Sequence, residues 1–160
     1  MKTILVPVDF SPVTGDVIRV ACDLAAATSH SLLLVHVLVT PNWFETYGLG
    51  PEVVAEVMKG GEKVALARLE EFAAECRRHG LEVRTILPSG KPVPVIVDRA
   101  AEFDARYIVM GSHGHGAVFE LLIGSTAQGV LRRARCPVFV VPSRVATGVA
   151  APPAATPASV

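Results

Sequence analysis

The sequence predicts an α/β protein with a doubly wound, five-stranded parallel sheet and helices on both faces. Hydrophobic residues make up 51% of the chain and aromatic residues only 6%, a composition that suits strands covered on both faces. Short β-branched runs alternate with segments of helical length, so the predicted element order is β-α-β-α-β-α-β-α-β. A length of 160 residues suits one domain.

The predicted strands are short apolar runs, each bounded by turn-forming or polar residues. They are Thr3 to Val8, Leu32 to Leu38, Glu82 to Leu87, Arg106 to Gly111 and Pro137 to Val141. The first helix is predicted to begin at Ser11 as N-cap with Pro12 as its first residue. Thr40 to Pro51 is predicted to be a long irregular loop.

The second helix is clearest from Leu66 to Cys76. Gly80 is a suitable C-terminal stop for it, and Gly60-Gly61 could break it on the N-terminal side. Pro92 is predicted to start the third helix, and the fourth is predicted from about Ser125 to Ala134.

The composition excludes several classes of function. Lys and Arg number 15, as do Asp and Glu, so the chain lacks the broad positive field that nucleic acids or anionic membranes require. The first nine residues do not resemble a signal peptide or a membrane span. The three cysteines are widely spaced and lack a CxxC pair, which favours small buried hydrophobes in a reducing cytoplasm over a disulfide framework or a zinc site.

Residues 143–160 are mainly Ala, Pro, Thr and Val, with a single charge, Arg144. This segment has no amphipathic period and is predicted to be a disordered tail. The folded domain is therefore predicted over residues 1–142.

The chemistry is expected at the carboxyl ends of the strands, where open α/β sheets bind ligands. The first strand ends in Pro7-Val8-Asp9, and the fourth ends in Met110-Gly111-Ser112-His113-Gly114. Glycine lets backbone amides approach a phosphate closely. The alternative for the glycines is turn geometry alone, and the alternative for Asp9 is a helix cap or turn residue.

A second phosphate-binding element is predicted at Gly124-Ser125-Thr126, where the fourth helix should start. Ser125 and Gln128 match the capping-box spacing. Gly111, Gly114 and Gly124 then form a Gx2Gx9GS motif. The chain has no GxxxxGK[ST] loop and no dinucleotide fingerprint, which excludes those two modes of phosphate binding.

These segments resemble the universal stress protein family, in its ATP-binding Gx2Gx9G[S/T] branch. The matching segments are Ile4 to Ser11, Val35 to Val37, Ile108 to Gly114, Gly124-Ser125 and Cys136 to Val138. The resemblance spans roughly Met1 to Pro142, so residues 1–142 are expected to form a universal stress protein domain. It implies a Rossmann-like fold of the adenine nucleotide alpha hydrolase type.

The resemblance implies ATP as the ligand, with Mg²⁺ or Mn²⁺ bound through the phosphates and no protein metal site. His36, His113 and His115 are accordingly treated as ordinary histidines. Asp9 would meet the ribose or a metal-bound water, and the Val37 backbone would meet adenine. The remaining site residues implied are Pro7 and Met110 beside the nucleoside and Gly111, Gly114, Gly124, Ser125 and Thr126 around the phosphates.

The resemblance also implies a homodimer formed through Val138 to Val141 and a nucleotide-dependent sensor or regulator of the stress response with an unknown protein partner. Two alternatives stay open. One is a slow ATPase, although no catalytic residue is assigned and Asp9, His113 and His115 are the only nearby candidates. The other is a nucleotide-independent dimerisation module whose output surface is the loop around Trp43.

Overall fold

Five parallel strands form one sheet in the computed structural model, which describes residues 2–39, 50–112 and 123–142. The strand order is β3-β2-β1-β4-β5, and all neighbouring strands pair in parallel. The predicted doubly wound α/β fold is therefore confirmed. The strand bounds are β1 (Thr3–Pro7), β2 (Ser31–Val35), β3 (Val83–Ile86), β4 (Ala105–Gly111) and β5 (Val138–Val141).

The order of the strands reverses beside β1. From β1 the chain moves outward through β2 to β3, and it then crosses back to place β4 on the other side of β1 and β5 beyond β4. Between β1 and β4 the sheet therefore has a topological switch point, where connections leave toward opposite faces and a crevice opens at the carboxyl ends of the strands.

Two helices cover each face of the sheet. The helices are α1 (Thr14–Thr28), α2 (Pro51–Arg78), α3 (Pro92–Glu102) and α4 (Ser125–Arg133). Alternate side chains of a strand point to opposite faces, and in β1 Ile4 and Val6 pack with α1 and α2 whereas Leu5 packs with α3 and α4. None of the described helices combines the length and apolar character that a membrane span needs.

The first helix begins later than the sequence predicts, so the assignment of Ser11 as N-cap is wrong. The Asp9 carboxylate accepts a hydrogen bond from the Ser11 N–H at 3.0 Å, and the Ser11 carbonyl accepts one from the Thr14 N–H at 3.0 Å. These two bonds form a separate turn before the helix, and Val13 occupies the N-cap position.

The second helix runs without interruption through Gly60-Gly61, so the predicted break is wrong. It starts at Pro51, which occupies the first helical position, as proline favours. Glycine in a helix interior costs only about 1 kcal/mol relative to alanine, a cost that a 28-residue helix tolerates. Gly80, which follows the end of α2, has φ +79° and is the predicted stop.

Polar contacts join α2 to β3. The Thr85 hydroxyl and the Arg77 guanidinium both donate to the Glu70 carboxylate. These two donors stabilise the charged form, and they lower the pKa of Glu70 below its ordinary value.

The first three strands end earlier than predicted, most clearly β2, whereas β4 and β5 end at the predicted residues. The pairing of β2 with β1 and β3 stops at Val35, and Leu38 forms only an isolated bridge with Ser89. His36 to Val39 therefore leave the sheet at its carboxyl edge. Pro92 starts α3 at its first turn, as predicted.

Candidate functional site

A cleft of about 630 Å³ opens at the switch point, above the carboxyl ends of the strands. This volume lies within the range of small-molecule sites. Eight of the nine predicted site residues line the cleft, and Gly114 lies outside the described residues, as do His113, His115, Trp43 and the predicted tail. The eight are Pro7, Asp9, Val37, Met110, Gly111, Gly124, Ser125 and Thr126.

The N-terminus of α4 points free amide groups at the cleft. Gly124 is its N-cap, with φ −60° and ψ 155°, and no side chain caps it. The first helical bond runs from the Gln128 N–H to the Gly124 carbonyl at 3.0 Å. The N–H groups of Ser125, Thr126 and Ala127 therefore have no hydrogen-bond partner among the described residues, and all three residues line the cleft. Such amides and the helix dipole favour an anion.

The capping box predicted for Ser125 and Gln128 is wrong. Ser125 is the first residue inside α4, and Gly124 occupies the cap. With Gly124 as the cap, the third helical residue is Ala127, which has no side-chain acceptor for a reciprocal bond. The Gly124 N–H donates to the Ser112 carbonyl at 2.8 Å. The Gln128 amide donates instead to the Ile123 carbonyl at 2.7 Å. The bond from Gly124 to Ser112 ties the start of α4 to the end of β4.

Asp9 has a structural role and also lines the cleft. Its Oδ1 accepts the Ser11 N–H at 3.0 Å, which is the turn role that the sequence left open as an alternative. Its side chain is exposed. Among the described residues that line the cleft, Asp9 is the only acidic one, and these residues include no lysine or arginine.

The backbone of Val37 faces the cleft at the end of β2. On either side of it, the His36 N–H donates to the Ile86 carbonyl at 3.2 Å and the Leu38 N–H donates to the Pro88 carbonyl at 2.8 Å, both toward the β3 side. Because backbone groups alternate in extended chain, the Val37 groups point toward β1, which has ended at Pro7. They make no hydrogen bond to another described residue. The Val37 N–H and C=O can therefore bind the edge of a planar heterocycle.

An aromatic stack supports the rim of the cleft at His36. The His36 Nδ1 lies 2.8 Å from the Val8 carbonyl oxygen, so Nδ1–H donates to it. The His36 ring stacks on Phe10 with centroids 4.3 Å apart. Phe10 has φ 61°, a region that bulky residues seldom adopt. His36 was expected to be an ordinary histidine. Its bond to Val8, which connects the ends of β1 and β2, was not predicted from the sequence.

Residues of helices on both faces of the sheet complete the walls of the cleft, and none of them was predicted from the sequence as a site residue. Val13, Thr14 and Val17 come from the start of α1, and Pro92 and Ile96 come from α3. They are mostly apolar and resemble core residues. The one available signal was position, because each helix starts directly after a strand end at the carboxyl edge of the sheet.

Fold and site together define a doubly wound α/β protein whose switch-point cleft contains an uncapped helix start and, at Val37, backbone groups without a hydrogen bond to another described residue. The chain belongs to the universal stress protein family, and the model of that family matches residues 1–142.

Known proteins resemble the chain over most of its length. It is 29% identical over 141 residues to universal stress protein MJ0531 of Methanocaldococcus jannaschii, covering 88% of this chain and 81% of that protein. The structure of the hypothetical protein MJ0577 matches with a TM-score of 0.79 at 26% identity, covering 91% of this chain and 98% of that chain. A universal stress protein from Archaeoglobus fulgidus in complex with dAMP matches with a TM-score of 0.60 at 26% identity, covering 88% and 97% of the two chains.

Proposed function

We propose that the cleft binds ATP and that its occupancy sets the affinity of the protein for a second copy or for a regulatory partner. The observation that supports this most directly is the placement of two complementary features in one cleft. The uncapped start of α4 suits phosphates, and the unpaired backbone of Val37 suits adenine. The complex of the A. fulgidus relative with dAMP, an adenine nucleotide, supports the same ligand class.

The phosphates would bind at the start of α4. The three free amides from Ser125 to Ala127 supply donors aligned with the helix dipole, and the hydroxyls of Ser125 and Thr126 add two more. Gly111 at the end of β4 permits close approach of the backbone. Gly114 is proposed to join them through the motif that it shares with Gly111.

The nucleoside would bind between the ends of β1, β2 and β4. Pro7 and Met110 supply apolar walls, and Val37 supplies one donor and one acceptor from its backbone. Apolar surface with a few oriented polar groups is the usual composition of a small-molecule site.

A divalent cation, Mg²⁺ or Mn²⁺, would bind through the phosphates. The described lining residues contain no lysine or arginine to balance a triphosphate, and the described residues contain no group of three His, Cys, Asp or Glu that could hold a metal. Asp9, the one acidic residue among the described residues that line the cleft, would contact a metal-bound water or the ribose.

Binding without turnover is favoured because the described lining residues include no lysine or arginine. Phosphoryl transfer requires charge stabilisation and a positioned nucleophile, and no cationic side chain lines the described cleft. Asp9 is the acidic candidate for a base, and its Oδ1 already accepts the Ser11 N–H. A slow ATPase is therefore the second candidate.

The dimer would form through β5, Val138 to Val141. In the described sheet β5 is an edge strand that pairs only with β4, and Phe139 is 41% exposed on it. An apolar edge with unpaired backbone groups is a template for pairing with another strand. A dimer whose affinity is the same with and without nucleotide would support the third candidate, a nucleotide-independent module.

The decisive variant replaces Ser125, the first residue of α4. Ser125→Pro removes one free amide and the hydroxyl, whereas Ser125→Ala removes the hydroxyl alone. Proline is favoured at this helical position, and Gly124 already has the extended backbone that a residue before proline requires. We therefore expect both variants to fold with unchanged melting temperature.

The measurement is isothermal titration calorimetry with ATP and Mg²⁺. A hydrogen bond to a charged group contributes about 1.5–3 kcal/mol, so Ser125→Pro should weaken binding about 10- to 100-fold relative to Ser125→Ala. Equal affinities would contradict the phosphate assignment. Mass spectrometry of small molecules released from freshly purified protein separates the candidates, since ATP supports binding, ADP supports turnover and no nucleotide supports the structural module.

A further inference from the structure

Two cysteine thiols are in contact where α1 packs on α2. Cys22 of α1 donates its S–H to the Sγ of Cys76 of α2, and the two sulfur atoms are 3.0 Å apart. This is closer than the roughly 3.5–4.0 Å at which even carbon atoms pack. The two residues are 54 positions apart in the chain, so their contact depends on the packing of the two helices.

We propose that Cys22 and Cys76 are an oxidation site that forms a reversible disulfide between α1 and α2. A disulfide requires a sulfur separation of about 2.0 Å, so the two sulfur atoms must approach by roughly 1 Å. The helices are already packed in one core around these sulfurs, with Ala21 and Ala73 both fully buried. The bond therefore needs small side-chain rotations and no rearrangement of the elements.

The two thiols differ in access and in acidity. Cys22 is partly exposed and Cys76 is fully buried, so an oxidant from solvent meets Cys22 first. The hydrogen bond from Cys22 lowers the pKa of Cys76, and the same bond is the main cause that raises the pKa of Cys22. When the pair loses one proton, the negative charge therefore rests mainly on Cys76, and the remaining proton stays on Cys22, from which it can cross this hydrogen bond.

A peroxide is the class of oxidant that balances the reaction. When the Cys22 proton crosses the hydrogen bond to Cys76, the Cys22 thiolate that forms attacks one oxygen of hydrogen peroxide, the O–O bond breaks, and Cys22 becomes a sulfenic acid. The hydroxide released takes the Cys76 proton and leaves as water. The Cys76 thiolate then attacks the Cys22 sulfur, the S–O bond breaks, and the second hydroxide takes up the proton that the pair first lost. Two thiols and one hydrogen peroxide thus give one disulfide and two waters.

Cys136 provides an internal control. It packs in the core on the opposite face of the sheet, with α3 and α4, and burial raises its pKa. The two cores are separated by the sheet, so Cys136 has no thiol within reach among the described residues. We expect it to remain a thiol when the pair is oxidised.

The experiment uses the full-length protein, hydrogen peroxide at a small molar excess and alkylation of the remaining thiols under denaturing conditions. Intact mass spectrometry should show that two of the three thiols are lost as an intramolecular bond, and peptide mapping should find Cys22 linked to Cys76. Dithiothreitol should restore all of them. The variants are Cys22→Ala, Cys76→Ala and the control Cys136→Ser.

Cys136→Ser should behave as the wild type, and either alanine variant should abolish the intramolecular bond. The bond closes a long loop, so the oxidised protein should melt roughly 5–15 °C higher than the reduced protein. If Cys76→Ala fails to fold, Cys22→Ala at the half-buried position gives the same comparison. Three alkylated thiols after oxidation, loss of the Cys136 thiol in place of the pair, or the same melting shift in Cys22→Ala would each overturn the proposal.

Discussion

Gly129 lies within α4 where this helix faces α3, and it tests how closely the two helices pack. A Cβ atom placed on Gly129 would lie 2.7 Å from one methyl carbon of Val93 and 3.0 Å from the other. Alanine in a helix interior is ordinarily about 1 kcal/mol more favourable than glycine. We nevertheless expect Gly129→Ala to lower the free energy of unfolding, because the added methyl group has no room.

The magnitude follows from these two opposing effects. Overpacking a core typically costs about 1–3 kcal/mol, and Val93 cannot simply rotate away because a β-branched side chain in a helix has one strongly preferred rotamer. After the gain in helix propensity, the net loss is about 0–2 kcal/mol. Gly60→Ala is the matched control, because it makes the same change in α2 with nothing within 4 Å of the new methyl. It should gain about 0.5–1 kcal/mol.

Urea unfolding followed by circular dichroism measures both variants, and their difference isolates the packing cost because both share the propensity gain. The double variant Gly129→Ala with Val93→Ala removes the obstructing methyl carbons and should recover part of the loss. If Gly129→Ala is as stabilising as Gly60→Ala, the α3–α4 packing described above is wrong. A displaced α4 also moves its N-terminus, so ATP affinity should fall in Gly129→Ala and not in Gly60→Ala.

Three further predictions use residues outside this contact. Leu69→Ala should lower the free energy of unfolding by about 2–5 kcal/mol, because Leu69 is 0% exposed. Leu66→Ala in the same helix should lower it by less than about 1 kcal/mol, because Leu66 is 46% exposed. Urea unfolding of the two variants measures this difference. The pKa of Glu70 is lower in the folded protein than its unfolded value of about 4.3, so the charged carboxylate stabilises the fold at pH values above about 4.3. This stability is lost as the pH falls through the folded pKa. Glu70→Gln should therefore destabilise the protein at neutral pH and progressively less toward pH of about 3, and a deficit independent of pH would contradict this. Asp9→Ala should lose about 0.5–1.5 kcal/mol with the Ser11 turn bond, Asp9→Asn should keep that stability, and calorimetry should show weaker Mg-ATP binding in both.

The fold was predictable because the determining signals are local. Buried parallel strands require apolar β-branched runs, and the five predicted runs correspond to the five strands. The fixed φ of Pro92 suits a helix start, and Gly80 accepts the positive φ that follows a helix end; both effects act at the residue itself. Two of the errors arose where a helix begins at a different residue from the one that carries the cap signal: Val13 and not Ser11 is the N-cap of α1, and Gly124 and not Ser125 is the N-cap of α4.

The site was predictable only where strand ends carry it. Asp9, Gly111 and Val37 follow strands directly, so the topology rule brings them to one edge. Val17 and Ile96 were not predictable from residue type, because an apolar helix residue has the same sequence pattern whether it packs in the core or lines a cleft. The contact of Cys22 with Cys76 depends on how two helices pack across 54 residues of chain, which no local pattern encodes.

The cleft and the cysteine pair are connected through α1. The first turn of α1 contributes Thr14 and Val17 to the wall of the cleft, and the next turns present Cys22 to α2. Ile96 of α3 and Ala127 of α4 also line the cleft, so a ligand there would bridge the two faces of the sheet, whereas the disulfide would tie together only the helices of one face. An effect of oxidation on ligand affinity can therefore pass through the position of α1. By linkage, a ligand that binds the oxidised form more tightly would favour formation of the disulfide by the same factor.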